Sequence, residues 1–436
     1  MIAAVSAAAL TPAPNADRPA VSPPITGTTR PRAVYSRDPR DPWNRIFDEL
    51  FARTVRIRVT EEFSEGAPFA LPEDMPFPLH LRLGRRLFER VEDGDRAIEA
   101  LYPTFMTWSG PGEALREPRL SRLRRALAEA LDETIARPAL DRALMQSDLW
   151  SAYDTLVPLS GTPARSQAAW MVLPLLARLI EKVALTPGQI ATLPDNYASA
   201  VRSQGLPDLF SEGSAWTEVV WFRRRMHDEA VHLRRVARVF VKPSTAVADP
   251  QAFLDDLARR NDGDASGLAG VALVIQNLVV DAGGHVVPSP LTYDVQTRLF
   301  RRGTGGALLG TDIVEYELSR QRLRTSPATG GLNLFTDTDP AYMPMAGNDY
   351  SFATPLHDRR GETPPVLTTL RTRCGACHGR RDALAVTTFS MTHAGDEPLP
   401  AVTRLRQPNH RRALEVAAQK AAREDFQRLI REWKAR

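Results

Sequence analysis

The chain has 436 residues and only two cysteines, which stand three apart with a histidine behind them: Cys374-Gly375-Ala376-Cys377-His378-Gly379. Three chemistries use two thiols at that distance. A reversible dithiol–disulfide pair needs no histidine and usually follows the first strand of a βαβ unit, a setting this stretch lacks. A zinc site needs two further ligands, and neither His393 nor His410 lies at a finger or ribbon spacing. Covalent haem attachment uses every part of the motif: both thiolates bond to the haem vinyl groups, and the next imidazole reaches the iron. Haem attachment fits the residues best, with the redox pair and the metal site as the other readings.

Cys374-Gly375-Ala376-Cys377-His378-Gly379 resembles the haem-binding motif of the c-type cytochromes. The resemblance covers residues 364–436. It implies an all-α haem unit holding one covalent haem c, with Cys374 and Cys377 as thioether anchors and His378 as the proximal iron ligand. The distal ligand follows less directly. Met391 is the first candidate, as a ligand that raises the potential and suits electron transfer; His393, Met343, Met345 or an open position are the others. The function expected is haem c binding with one-electron transfer. An open distal site would instead imply a peroxidase- or oxidase-like haem enzyme, with His357 as an acid–base group. A third reading is a non-haem interaction protein.

The elements that must position this motif are read from periodicity. Residues 1–41 are rich in proline and form a leader, within which Ile2–Leu10 resembles the apolar part of an export signal without a basic start. Asp41 as N-cap and Pro42 at the first helical position open an amphipathic helix carrying Trp43, Ile46, Phe47, Leu50 and Phe51. Residues 42–232 read as a helical domain, with helices over Leu83–Leu101, Leu120–Ile135, Leu140–Leu156, Ser166–Val183 and Trp216–Met226 and a helix start at Thr186-Pro187. Residues 233–330 read as a smaller α+β unit, with strands over Val236–Lys242 and Val271–Val280 and a hairpin at Asp281–Gly284. Residues 331–363 are a loop-rich connector. The haem unit, 364–436, opens with a short helix over Val366–His378 and closes with a long one from about Asn409, striped by Leu414, Ala418, Ala422, Phe426, Leu429, Ile430 and Trp433. The fold class expected is mainly α with a smaller α+β unit.

Composition narrows the partners. A net charge of +4 is small for this length and gives no basis for nucleic-acid binding. No apolar run is long enough to cross a bilayer. Residues 361–436 hold fourteen basic against eight acidic side chains, a local +6 in which Arg371, Arg373, Arg380 and Arg381 bracket the motif. That charge fits haem propionates and an acidic redox partner. Because haem c is attached outside the cytoplasm, the protein is expected to be exported, to the periplasm or cell surface. Other patterns lack the spacing of a site: His227 and His232 are five apart, Gly303–Gly306 lacks the lysine of a phosphate loop, and Asp337, Asp339 and Asp349 do not form an EF-hand.

Overall fold

The computed structural model describes residues 34–59, 82–90, 95–101, 117–157, 166–211, 213–221, 235–245, 267–304, 306–335, 340–343, 366–369, 402–404 and 411–435, with a few single residues between. They form a mixed α+β fold rather than a mainly α one: two sheets, of seven and five strands, with helices packed against the larger. The strands are β1 (Ala52–Val59), β2 (Arg82–Arg90), β3 (Asp95–Leu101), β4 (Thr217–Trp221), β5 (Arg235–Pro243), β6 (Leu268–Val280), β7 (Val286–Arg302), β8 (Leu308–Leu318), β9 (Leu332–Phe335), β10 (Pro340–Met343), β11 (Val366–Thr369) and β12 (Val402–Arg404). Their order is β12-β4-β5-β6-β7-β8-β9 in the large sheet and β10-β11-β1-β3-β2 in the small one. Every pairing is antiparallel except that of β1 with β11.

The helices are α1 (Pro42–Phe51), α2 (Arg119–Asp132), α3 (Ala139–Leu156), α4 (Ser166–Lys182), α5 (Pro187–Ala191), α6 (Asn196–Gln204), α7 (Arg320–Thr325), α8 (Arg411–Ala422) and α9 (Glu424–Lys434). Local chemistry sets their starts. The Asp41 carboxylate accepts from the Trp43 amide at 2.9 Å, ahead of α1. Thr186 and Gln189 form a reciprocal capping box at α5. The apolar stripe of α1 is buried, each large side chain contributing about 1.5–3 kcal/mol.

One apolar cluster joins α1–α4 to Val236, Leu278, Val280 and Val286 of the large sheet and to Ala413, Val416, Phe426, Leu429 and Trp433 of the last two helices. A second joins α5–α7 to Phe240, Val274, Tyr293, Val295 and Tyr316. Side-chain amides complete the ladder where strands run past their neighbours. β5 pairing ends at Arg235, opposite Asn277, and beyond it Gln146 donates to the Val280 carbonyl and accepts from the Val280 amide, both at 2.8 Å. β8 pairing ends opposite Asp294, and beyond it Asn196 makes the same two-way bond to Thr292, at 2.8 and 2.7 Å. Each buried backbone pair is thus satisfied, and each fixes a helix on a strand. At Gly330 φ is +73°, and an added Cβ would collide with the Asn196 carbonyl, so glycine is required there.

Several helix expectations are corrected. Leu83–Leu101 is two strands, β2 and β3; the sequence carries a turn signal, Asp93-Gly94, between them. Trp216–Met226 holds β4, where Thr217, Val219 and Val220 favour an extended chain. Val366–Thr369, read as the start of the helix leading into the cysteine motif, is β11. With β11 and β12 inside residues 364–436, that span is not all-α. The last helix is two, broken at Arg423, and the break changes which face of α8 is inside. Ala413, Val416, Ala417 and Lys420 are buried there, while Leu414 is 57% exposed. The strands expected at Val236–Lys242 and Val271–Val280 are present as β5 and β6, joined onward by the Asp281–Gly284 turn.

Candidate functional site

Cys374, Cys377, His378 and Met391 lie outside the described residues, as do His393, His357 and Met345. What the structure gives is the frame on either side. β11 ends at Thr369, held between β1 and β10 in the small sheet. β12 begins at Val402 and pairs with β4 at the edge of the large sheet, Val402 opposite Trp221. The chain carrying the cysteine motif therefore leaves one sheet and enters the other. Met343, a reserve distal candidate, lies in β10 opposite Val366, at the end of β11 away from the motif; Pro340 is opposite Thr369, the end that leads into it.

After β12 come α8 and α9, which pack on β5, β7 and α4. Lys420 anchors them. It is fully buried, with Nζ 2.8 Å from Asp154 Oδ2 on α3 and 3.0 Å from Asp425 Oδ2 on α9. Its ammonium also lies 5.5 Å from the centre of the Trp150 ring. The Tyr153 hydroxyl donates to Glu432 at 2.9 Å, a second tie between α3 and α9. Burial, then the neighbouring Glu432 carboxylate, pushes the Tyr153 phenol far above its ordinary value.

Two further buried ion pairs brace the sheet and helices. Arg320, at the start of α7 and fully buried, binds both oxygens of Asp148 on α3 at 2.5 Å. The Tyr35 hydroxyl donates to the same carboxylate. Burial alone would lower the Arg320 guanidinium; the Asp148 charge outweighs it and holds the cation above its usual value. Burial, then Asp148, pushes the Tyr35 phenol well above its ordinary value. In the large sheet Arg238 grips Glu218 with two bonds of 2.8 and 2.7 Å, beneath the Phe210 ring. On the opposite face Asp294, Gln296 and Arg298 of β7 run beside Glu317 and Glu315 of β8, all buried. None of these residues was singled out from the sequence, because a charged residue carries no local sign of its burial.

Among the described residues no group of three histidine, cysteine, aspartate or glutamate side chains is placed to hold a metal ion. His285 is the one histidine among them; it lies at the β6–β7 turn, exposed, its Nδ1 3.2 Å from Asp281. No helix among the described residues is long and apolar enough to cross a membrane. No protein-family model, no curated protein and no solved structure matches the chain.

Proposed function

We propose that the chain binds one haem c covalently through Cys374 and Cys377 and serves in one-electron transfer outside the cytoplasm. The observation that carries this reading is the motif: the only two thiols of the chain, at the spacing of the two haem vinyl groups, with His378 next to them. The donor set fits the group. Two thiols supply the thioether bonds, and the His378 imidazole supplies a neutral nitrogen ligand to the iron. When bound, the haem supplies a one-electron couple. Met391 is assigned as the distal ligand, as a thioether that favours the reduced state. Arg371, Arg373, Arg380 and Arg381 neutralise the propionates and present a positive face to an acidic redox partner.

The test is expression with a haem c maturation system, followed by a pyridine haemochrome assay and a haem stain after denaturation. The expected result is one covalent haem, lost in the double variant Cys374→Ser/Cys377→Ser. Met391→Ala is expected to keep the covalent haem while changing the oxidised spectrum from low-spin to high-spin. Absence of covalent haem from the folded wild-type chain sinks the reading. A high-spin ferric spectrum in the wild type would replace electron transfer by the haem-enzyme reading.

A further inference from the structure

The three buried ion pairs described above differ in one chemical respect. Two are built on arginine, which stays charged in any protein setting and meets its carboxylate with two parallel bonds. The third is built on Lys420. The chain has four lysines (Lys182, Lys242, Lys420 and Lys434) among 56 basic residues, so lysine at a buried ionic position runs against the composition. A desolvated lysine has a property arginine lacks: once neutral, its amine is a nucleophile.

The surroundings supply what that nucleophile needs. Asp154 is 3% exposed and its Oδ2 lies 2.8 Å from Nζ, so its carboxyl carbon is one C–O bond beyond a direct contact with the amine, no more than about 4 Å away. Asp425 Oδ2 lies 3.0 Å from the same nitrogen. The indole of Trp150, itself packed on Phe426 at 5.8 Å, walls the group from water. We propose that Lys420 and Asp154 are joined by an isopeptide bond, formed by the folded chain itself and linking α3 to α8.

The step balances without an added reagent. The Asp425 carboxylate takes one proton from the Lys420 ammonium. Burial works against its ionisation, yet the Lys420 charge holds its carboxyl below the ordinary value, so it is present as the base. The neutral amine attacks Asp154 Cγ, forming the C–N bond. One C–O bond then breaks, and the two protons given up by the nitrogen leave with that oxygen as water, one of them by way of Asp425. An ammonium and a carboxylate become a neutral amide. The driving force is the removal of two fully buried charges whose desolvation cost their attraction offsets only in part. The rate comes from holding the reactants together, since well-oriented intramolecular reactions reach effective molarities of about 10⁵ M or more.

The bond would close a loop between positions separated by 266 in sequence and lock α8 and α9 to the body. By the argument made for disulfides, a cross-link over so long a loop restricts mainly the unfolded chain. On the proposed function both cysteines are taken by haem, and this linkage would supply the covalent bracing they cannot.

The experiment is intact-mass measurement on the denatured full chain, produced without haem maturation so that haem adds no mass. The expected mass is that of the sequence less one water. Trypsin is expected to release Ala143–Arg165 joined to Ala413–Arg423, with no cleavage at Lys420. Lys420→Arg keeps a cation in place and is expected to fold, by circular dichroism, at the full mass. Asp425→Asn is expected to retain most chains unlinked. A folded wild-type chain at full mass overturns the proposal, as does a water loss that maps to other peptides or persists in Lys420→Arg.

Discussion

Asp148 shows what a single side chain decides here. Its carboxylate meets a guanidinium with no exposed surface, and the Tyr35 hydroxyl leans on the same oxygens. Asp148→Asn leaves Arg320 buried without its counter-charge and is expected to cost about 3–5 kcal/mol in urea unfolding. Replacing both partners, as Asp148→Leu with Arg320→Met, is expected to cost less than the single change, because no unpaired charge remains. The pair was not legible in the sequence, since its members stand 172 positions apart and either is ordinary on a surface. The cysteine motif was legible, because its chemistry depends on neighbours in sequence.

At the scale of elements, α1 to α5 lie where their sequence signals put them, α6 went unforeseen although Asp195 caps it, and β5 and β6 follow their β-rich runs. The errors fall where apolar spacing alone was used. Leu83, Leu87, Ile98 and Leu101 fit a helical stripe, yet Asp93-Gly94 interrupts them and β3 pairs along its length with β1. In the last helix, one stripe drawn from Leu414 to Trp433 assumed a single axis; the break at Arg423 gives α8 a different inner face, Lys420 included. The buried stripe of α9 tests its docking. Phe426→Ala removes a ring packed on Trp150 and is expected to cost about 3–5 kcal/mol. The loss should appear as destabilisation of the cooperative unit by tryptophan fluorescence, since Trp150 and Phe426 share one core.

At the scale of the whole molecule, α8 and α9 belong to the main core. Residues from 43–51, 120–184 and 413–433 share one apolar cluster, so the C-terminal helices are part of the body that the earlier helices build. The same interior buries tyrosines. Tyr35, Tyr153 and Tyr197 are all raised above 10.0, chiefly by burial. The folded values exceed the unfolded one, so the unfolded state releases these protons first as pH rises. Their contribution is fully present below about pH 10 and is lost above it. Urea stability is expected to fall as pH rises past that point, with tyrosinate absorbance from these three appearing only with unfolding.

The sequence by itself determined the features set by near neighbours: the spacing of Cys374, Cys377 and His378 on which the haem proposal rests, the Asp41 and Thr186 caps, the α1 stripe and the β-rich runs of β5 and β6. Each is a short-range pattern whose chemistry is complete within a few residues. Only the tertiary structure decided that β11 and β12, the described strands before and after the motif, belong to different sheets, that Gln146 and Asn196 complete strand ladders, and that Lys420 lies beside Asp154. Those arrangements depend on pairings across hundreds of residues, where burial turns an ordinary charged or amide side chain into a specific partner.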